Sequence, residues 1–322
     1  MTMTIINEKY AILELIGRGK FGLVYKGLRV RDITPMHIHS ADKSAETECA
    51  KLTGLRSLDA QRRNCDPEEI DDKYIAIKIE TTTNDANMLM HEATMLRYMH
   101  NNGCRCIPLL HYFSKFDDKP CLVMSYYKMN LETYIKNNKV DINKLNIIMV
   151  KCIHILENIH KMMVVHRDIK PQNFMINNAN ELFIIDFGLS IPCNTIQVTM
   201  KDTIIGTPKY ISYNVHMGYD CMFRDDMISL GYMYMWFLFG GLPWENLPAC
   251  NNIDNIPEFS IMHPHNSMRA KMKELKQISK YMNEKNSIST TRIMRYLEHC
   301  YGVGFPDKPL YRELKTVFME KV

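Results

Sequence analysis

The sequence predicts a fold that contains both strands and helices. β-Branched and aromatic residues nearly alternate with other types in residues 22–30, and apolar residues alternate in residues 74–80, as they do in strands. Apolar residues recur at helical spacing in residues 87–100, and a further helix is predicted from Lys144 to about Met162. With 322 residues, the chain can bury a large core, as one big domain or as two lobes.

The first predicted strands enclose a glycine motif. In YAILELIGRGKFGLVYKGLRV, residues 10–30, Gly17, Gly19 and Gly22 form GxGxxG, and Val24 follows two positions later. A dinucleotide-binding fold is the main alternative, and Asp42 lies near the distance expected for its ribose-binding acid. That fold needs a helix directly after the glycines, whereas GLVYKGLRV favours a strand. A strand–glycine turn–strand hairpin typically covers nucleotide phosphates. On this segment alone, both interpretations stand.

Residues 31–73 differ in composition and are interpreted as an inserted surface loop. Between residues 34 and 72, nine acidic residues meet five basic ones with almost no aromatic residue. A short helix is predicted around KLTGLRSLDAQRR, residues 51–63. Four residues of metal-ligating type fit no common zinc spacing and are interpreted as incidental: His37, His39, Cys49 and Cys65.

The next predicted strand and helix carry a candidate ion pair. Lys78 lies in the strand YIAIKIE, residues 74–80, and Glu92 is the only acidic residue of the helix at 87–100. Either side chain alone could be a solvated surface group. Because the helix follows the strand at once, we expect Lys78 and Glu92 to pair. A lysine in such a strand typically reaches nucleotide phosphates.

Two short motifs carry most of the functional information. HRDIKPQN, residues 166–173, supplies Asp168, Lys170 and Asn173, and IIDFGLS, residues 184–190, supplies Asp186. Phosphoryl transfer from a nucleotide needs this set. One carboxylate orients a hydroxyl, the lysine offsets charge on the moving phosphoryl group, and two oxygen ligands hold Mg²⁺. Each motif alone can occur by chance, but both motifs in this order and at this separation indicate that chemistry.

With these motifs the chain resembles the eukaryotic protein kinases, and later segments are similar to the casein kinase 1 group. Most protein kinases close the activation segment with Ala-Pro-Glu, whereas this chain has GTPKYISYNVHMGY at 206–219, similar to the Ser-Ile-Asn form of casein kinase 1. RDDMISLGYMYMWFLFGGLPW at 224–244 and CYGVGFPDKPLYRELKTVF at 300–318 follow the same group's pattern. The resemblance covers the chain except for residues 31–73, and it favours the phosphate-covering hairpin over the dinucleotide fold.

The resemblance implies one protein kinase domain over residues 1–322 with a bilobal α+β fold. The N-lobe, about 1–126, would be a small antiparallel β-sheet with one helix and the inserted loop. The C-lobe, about 127–322, would be larger and mainly α-helical. The family binds ATP and Mg²⁺, and both are expected here.

The roles of the two motifs follow from the same resemblance. Asp168 corresponds to the catalytic base, and Lys170 to the residue that contacts the γ-phosphate. Asn173 and Asp186 correspond to the magnesium ligands. Asp226 matches a buried aspartate that anchors the backbone of the catalytic loop, which is a structural role.

The ATP site is assigned in the same way. Lys78, paired with Glu92, would hold the phosphates beneath the glycine loop, and Met124 would line the back of the adenine pocket. Main-chain groups from Ser125 to Tyr127 would bond the adenine edge. The apolar walls of the pocket, whose members could equally be ordinary core residues, would come from Ile16, Val24, Ala76, Met175 and Ile185.

Substrate choice is the least specified part of the resemblance. The presence of Lys170 after the HRD motif, together with Thr207, resembles the pattern of Ser/Thr kinases. Casein kinase 1 relatives favour acidic or phosphorylated residues before the target, read by a basic cluster beside the activation segment. Lys201, Lys209 and Arg224 are the candidates here, although scattered solvated charges are the alternative. Lys209 stands where the group usually has Arg, and Tyr213 stands where it usually has Ile.

Composition limits the remaining possibilities. Forty basic and thirty-six acidic residues give a net charge of +4, too balanced to suggest nucleic acid as a partner. The most apolar stretch, residues 229–244, is too short to span a membrane and is predicted to be a buried helix. Ten cysteines without a CxxC pair and a start without signal-peptide features predict reduced thiols in the cytoplasm or nucleus. The resemblance implies protein substrates, and we expect a monomer.

Two functions compete with the leading interpretation. A pseudokinase that acts as a scaffold usually lacks the lysine, the catalytic aspartate or the magnesium aspartate, and Lys78, Asp168 and Asp186 are all present. A kinase acting on a small molecule is disfavoured because the protein-kinase segment from 206 to 244 is complete.

Overall fold

The computed structural model describes residues 4–19, 22–30, 73–81, 88–195, 205–245 and 288–320. Lys201 and the insertion predicted at 31–73, apart from its last residue, lie outside the described residues. The described residues form two compact units. Unit 1 takes its residues from 1–97, 108–128 and 177–181, and unit 2 takes its residues from 98–107, 129–176 and 182–322.

Unit 1 is built on one six-stranded antiparallel sheet. Its strands are β1 (Ile5–Ile6), β2 (Tyr10–Gly19), β3 (Gly22–Arg29), β4 (Tyr74–Ile79), β5 (Leu110–Phe116) and β6 (Lys119–Ser125). They pair in the order β1-β2-β3-β4-β6-β5. Strand β4 lies between β3 and β6, and five of its six residues are buried, as expected for a central strand. Helix α1 (Met88–Asn101) begins in this unit.

The glycine motif forms the hairpin between β2 and β3, with Gly19 opposite Gly22. Gly22 has φ +151°, and a Cβ atom there would lie 2.2 Å from the carbonyl oxygen of Ile79 on β4. No side chain fits at this close approach of two strands, so glycine is required. Strand β3 begins at the last glycine of the motif, where a dinucleotide fold would begin a helix. The strand–glycine turn–strand prediction is therefore confirmed.

Unit 2 is mainly helical. Its helices are α2 (Leu131–Asn138), α3 (Ile142–Lys161), α4 (Tyr213–His216), α5 (Phe223–Phe239), α6 (Ile288–Gly302) and α7 (Tyr311–Met319). Its short strands are β7 (Met129–Asn130), β8 (Val164–Val165), β9 (Phe174–Ile176), β10 (Leu182–Ile184) and β11 (Ile191–Pro192). They form one antiparallel sheet, β10-β9-β7, and the pair β11-β8. The predicted α+β fold is confirmed.

Helix ends differ slightly from the sequence prediction, for local reasons. Helix α3 begins at Ile142 because the side chain of Asp141 accepts the Lys144 amide at 2.8 Å and caps the first turn. The buried helix predicted at 229–244 begins earlier, at Phe223, and ends at Phe239. There Gly240 takes a left-handed conformation with φ 75°. No helix among the described residues is long and apolar enough to cross a membrane.

Packing of α5 against α6 depends on one small residue, Gly231. A Cβ atom there would lie 2.7 Å from Leu297 Cδ2 and 2.9 Å from Tyr296 Cε1. The ring of Tyr296 cannot swing away easily, since its hydroxyl donates to the Met227 carbonyl at 3.0 Å. The two helices therefore meet at close range only because residue 231 has no side chain.

We expect Gly231→Ala to lower the free energy of unfolding by about 1–3 kcal/mol, because overpacking outweighs the better helix propensity of alanine. Gly302→Ala is the matched control, since nothing lies within 4 Å of its Cβ position. Urea unfolding of both variants measures the difference. A Gly231→Ala midpoint at or above that of the control would contradict this packing.

Candidate active site

Lys78 and Glu92 form an ion pair in unit 1, as the sequence predicts. Lys78 Nζ lies 2.8 Å from Glu92 Oε2, and the two side chains are only 11% and 1% exposed. Strand β4 carries the lysine and the first half of α1 carries the glutamate. Removing one partner of such a buried pair leaves an uncompensated charge, typically at a cost of about 3–5 kcal/mol. The ammonium is therefore held at a fixed position on the sheet.

Several predicted pocket residues share one face of the sheet with Lys78. Ala76 lies two residues before Lys78 on β4 and pairs with Met124 on β6, while Val24 on β3 pairs with Lys78. Side chains alternate between faces, and paired residues share a face, so these residues lie on the same side. Ile75, Ile77, Ile79, Cys121 and Val123 pack together as a core cluster, with the isoleucines of β4 on the opposite face.

The remaining residues of unit 1 that are predicted to bind ATP differ in their packing, exposure and hydrogen bonding. A Cβ atom at Gly17 would lie 3.7 Å from Val24 Cβ, so this glycine packs against the predicted apolar wall. Ile16 is 44% exposed. The Ser125 amide donates to the Leu109 carbonyl at 3.1 Å. That N–H group is therefore committed to the sheet, so the predicted main-chain contacts of residues 125–127 with adenine would have to use other groups.

In unit 2, Asp168 lies at the centre of a hydrogen-bond network. Thr207 Oγ1 donates to Asp168 Oδ1 at 2.6 Å. Lys170 Nζ and Asn173 Nδ2 donate to Oδ2 at 2.6 and 3.0 Å. Lys170 Nζ also lies 3.3 Å from Thr207 Oγ1, and Asn173 Nδ2 reaches the Asp168 carbonyl at 2.8 Å. Three donors thus fix the orientation of one buried carboxylate.

Asp226, at the start of α5, holds the backbone of this loop. Its Oδ2 accepts the His166 amide at 2.8 Å and Oδ1 accepts the Arg167 amide at 2.9 Å. His160 Nε2 adds a third contact, 3.0 Å from Oδ2. Burial alone would raise the pKa of Asp226, but the hydrogen bond and charge of His160, together with His166, keep the pKa below its ordinary value. Tyr311 of α7 contacts the other nitrogen of His160 at 2.7 Å.

His166 links the HRD and DFG motifs. Its Nε2 lies 3.0 Å from the Ile185 carbonyl, and its Nδ1 accepts the Asp168 amide at 3.3 Å. A carbonyl can only accept, so Nε2 carries the proton that is donated to Ile185. The ring also packs edge-on against Phe187, with centroids 4.9 Å apart. The imidazole therefore fixes the two motifs to each other.

Two residues of these loops, Arg167 and Asp186, have left-handed backbone with φ 69°. Such conformations typically cost about 1–3 kcal/mol for residues other than glycine and persist only where neighbours enforce them. The hydrogen bonds that Asp226 accepts, and the one that His166 donates to Ile185, hold the loops that contain Arg167 and Asp186 in this conformation. Strain of this kind is common at functional sites.

The predicted magnesium ligands have suitable oxygen atoms. Asn173 uses its Nδ2 for Asp168, so its Oδ1 is the atom that can coordinate a cation. The Ile185 amide donates to the Asn173 carbonyl at 2.9 Å, which brings the residue before Asp186 beside Asn173. One amide oxygen and one carboxylate suit Mg²⁺, which binds few protein ligands and keeps its remaining positions for water and phosphate. No cluster of three or more His, Cys, Asp or Glu among the described residues offers another metal site.

Met175 and Ile185, predicted as pocket walls, both lie in unit 2 and are partly buried. Met175 pairs with Phe183 between β9 and β10, and Ile185 directly follows β10. The structure thus brings the predicted residues together as two groups, one in each unit. Lys78, Glu92, Val24, Ala76 and Met124 form the first group, and Asp168, Lys170, Asn173, Met175, Ile185 and Asp186 form the second.

Two of the predicted substrate-anion residues, Lys209 and Arg224, lie within the described residues, and both already have partners. Lys209 Nζ forms an ion pair with Glu245 and lies 4.6 Å from the centre of the Trp236 ring. Burial alone would raise the pKa of Glu245, but the contacts with Lys209 hold it below its ordinary value. Arg224 donates from Nη1 to the Val303 carbonyl at 2.6 Å, and its Nε lies 3.8 Å from Asp225. An anion would have to displace these partners.

Sequence reasoning did not identify every residue of the network. Thr207 was assigned only as a mark of Ser/Thr kinases, although it contacts Asp168 directly. Its position in the GTP turn soon after the DFG motif was the available signal. The contacts of His160 with Asp226 and Tyr311 span 66 and 151 residues, and nothing local in the sequence indicates them.

Comparison with known proteins agrees with this geometry. A family profile described as the protein kinase domain matches residues 67–301. Casein kinase I homolog 1 of Schizosaccharomyces pombe is 31% identical over 196 residues, which cover 57% of this chain and 44% of the relative. Casein kinase I homolog 2 of the same organism is 28% identical over 328 aligned positions, covering 98% of this chain and 63% of the relative. The chain thus spans less than two thirds of the length of either relative.

The depressed pKa of Asp226 gives a prediction about acid stability. A carboxyl group whose pKa is lower in the folded state stabilises the fold above its unfolded pKa, about 3.9, and this contribution is lost as the pH falls through the folded pKa. Asp226→Asn should lower the free energy of unfolding by about 1.5–3 kcal/mol at neutral pH, because one hydrogen bond to a charged group is lost. The difference from wild type should shrink at about pH 3.

Asp225→Asn is the matched control with the opposite sign. Burial raises the pKa of Asp225 despite its hydrogen bonds with Ser212, Met222 and Asn214, so its ionisation weakens the fold as pH rises. Urea unfolding at the two pH values gives both differences. If both variants changed with pH in the same direction, the assignment of Asp226 as an ionised anchor would be wrong.

Proposed function

The chain belongs to the protein kinases, in the casein kinase 1 group, and we propose on that premise that it transfers the γ-phosphoryl group of ATP to Ser and Thr hydroxyls of proteins. One observation supports this most strongly. The carboxylate of Asp168 is fixed by Thr207, Lys170 and Asn173 within the HRD motif. A carboxylate held in this way can receive a hydroxyl proton in a defined direction.

Asp168 is the proposed proton acceptor. The hydroxyl oxygen of the substrate bonds to the γ-phosphorus while the bond between that phosphorus and the leaving oxygen of ADP breaks, and the hydroxyl proton passes to an Asp168 oxygen. Lys170, whose Nζ lies 2.6 Å from Asp168 Oδ2, is proposed to offset the charge on the transferred group. Thr207 keeps the carboxylate oriented. The chain thus supplies position and charge, which are the main requirements of phosphoryl transfer.

Lys78 is proposed to bind the phosphates of ATP. Its pairing with Glu92 fixes the ammonium, and a compact cation held at one point suits a phosphate group. Asn173 and Asp186 are proposed to hold Mg²⁺, which would neutralise charge on the phosphates when bound. The apolar face formed by Val24, Ala76 and Met124 is proposed to contact the adenine ring.

An inactive scaffold is the main competing function. It is disfavoured because Lys78 has its ion pair and Asp168 has its three donors, and a protein that only binds a partner needs neither arrangement. Incubation with γ-labelled ATP, Mg²⁺ and casein distinguishes the two functions. Transfer of label to casein supports the kinase, and nucleotide binding without transfer would support the scaffold.

The proposed substrates carry acidic or phosphorylated residues before the target. Lys209 supports this preference as a cation beside Trp236, but its pairing with Glu245 means that a phosphate group must compete with a carboxylate. The preference should therefore be weaker and more salt-sensitive than one based on an unpaired arginine. Lys201 and Arg224 remain proposed members of the same site. The seven cysteines within the described residues are all free thiols, which supports an intracellular location.

Asp168→Asn should lower turnover of casein by at least about a hundredfold, because the variant keeps the shape but loses the proton acceptor. ATP affinity and the circular dichroism spectrum should stay close to wild type. The control is Asp118→Asn, the same chemical change at an exposed turn between β5 and β6. Turnover of Asp168→Asn within a few-fold of the control would show that Asp168 is not the base.

Glu245→Gln should strengthen the preference for phosphorylated peptides, because it weakens the competing partner of Lys209. Lys209→Glu should abolish that preference. The measurement compares kcat/KM for peptides with phosphoserine, aspartate or alanine three residues before the target serine. If both variants discriminate as wild type does, the anion site lies elsewhere.

A further inference from the structure

The segment of chain that joins α1 to β5 carries a pair of thiols. Cys104 Sγ is 3.6 Å from Cys106 Sγ, with only Arg105 between them in the chain. Cys104 is buried and Cys106 is partly exposed, so solvent meets the pair at Cys106. The other cysteines within the described residues are Cys121, Cys152, Cys193, Cys221 and Cys300, and no sulfur–sulfur contact joins them. This is the one dithiol of the described residues.

The surroundings favour a thiolate at this pair. The hydrogen bond between the two thiols lowers the pKa of Cys104, although burial opposes the shift, and it raises the pKa of Cys106. Arg105 adds a positive charge, and its Nη1 is held by the carbonyl oxygens of His100 and Cys104 at 2.9 and 3.1 Å. Burial raises the pKa of Cys121, by contrast, to about 12. Thiolate character, on which reactivity depends, is thus concentrated at Cys104.

The pair is also tied to the DFG motif. The carbonyl oxygen of Cys106 accepts the amide of Ile184 at 3.0 Å. Ile184 ends β10, and the next residues are Ile185, which His166 contacts, and Asp186, the proposed magnesium ligand. A change in the backbone at Cys106 therefore acts on the strand that delivers Asp186.

We propose that Cys104 and Cys106 form a reversible redox site, oxidised by hydrogen peroxide to an intrachain disulfide that lowers turnover. The Cys104 thiolate attacks one peroxide oxygen, the O–O bond breaks, and hydroxide leaves, giving a sulfenic acid. The Cys106 sulfur then attacks the sulfenic sulfur, forms the S–S bond and releases water. Two thiols and one peroxide thus yield one disulfide and two waters, and a dithiol reductant reverses the change.

Closing this bond must move the backbone. The sulfurs have to approach from 3.6 Å to about 2 Å, and the ring that they close contains only one intervening residue. Arg105 is fixed by its two carbonyl contacts, so the adjustment is expected at Cys106 and its hydrogen bond to Ile184. The effect on turnover rests on the proposed kinase function, whereas formation of the disulfide does not.

The first experiment maps the bond in the full chain. The protein is treated with mild peroxide, remaining thiols are blocked, and trypsin digests it without reductant. Because trypsin cleaves after Arg105, a disulfide would join peptides 98–105 and 106–115 into one mass that reductant separates. We expect that linked mass in wild type and its absence in Cys104→Ser and Cys106→Ser. Wild type without the linked mass would overturn the redox site.

The second experiment measures casein phosphorylation before oxidation, after oxidation and after dithiothreitol. Wild type should lose about fivefold or more, the lower end of typical coupling between sites, and recover on reduction. Neither serine variant should show the recoverable loss, and Cys193→Ser, a change at another partly exposed thiol, should behave as wild type does. A linked mass with unchanged turnover would overturn the coupling to Asp186. An inactive reduced wild type would instead overturn the kinase function, while the mass result still decides the redox site.

Discussion

The carboxylate of Asp226 is the constraint on which the candidate active site depends. It is fully buried, and the energetic cost of burying its charge is offset by hydrogen bonds from two backbone amides and by its contact with the His160 ring. The two amides belong to His166 and Arg167, the residues directly before Asp168. A buried anion with three partners has one favourable position, so the loop it binds has one as well. The direction of the Asp168 side chain follows from that position.

The same anchor makes the strained parts of the site possible. Arg167 and Asp186 adopt left-handed backbone that neither residue prefers, and each lies beside a residue held by hydrogen bonds. Asp226 holds the loop that contains Arg167. His166 connects this loop to the one that contains Asp186, through its hydrogen bond to Ile185 and its ring contact with Phe187. The proposed proton acceptor and the proposed magnesium ligands thus share one rigid frame within unit 2. Such preorganisation is what phosphoryl transfer needs, since the protein contributes mainly position and charge.

Sequence patterns predicted those features that local chemistry dictates. The glycine hairpin followed from β-branched residues after Gly22, and the ion pair of Lys78 followed from a helix with one acidic residue directly after a strand. Features that depend on distant contacts could not be predicted in this way. The Thr207–Asp168 hydrogen bond spans 39 residues, and the His160–Tyr311 contact spans 151. The pairing of Lys209 with Glu245 likewise depends on how two turns meet in space, which side-chain periodicity does not encode.

The most direct test of this account is the turnover number of Asp226→Asn, measured with casein at neutral pH under conditions where circular dichroism shows a folded protein. The carboxamide cannot accept both backbone amides, so the loop before Asp168 should shift while the face that carries Lys78 stays intact. We expect kcat to fall by about a hundredfold, as for small misplacements of catalytic groups, with ATP affinity nearly unchanged. A folded Asp226→Asn variant with the turnover number of wild type would contradict the claim that this carboxylate positions the catalytic loop.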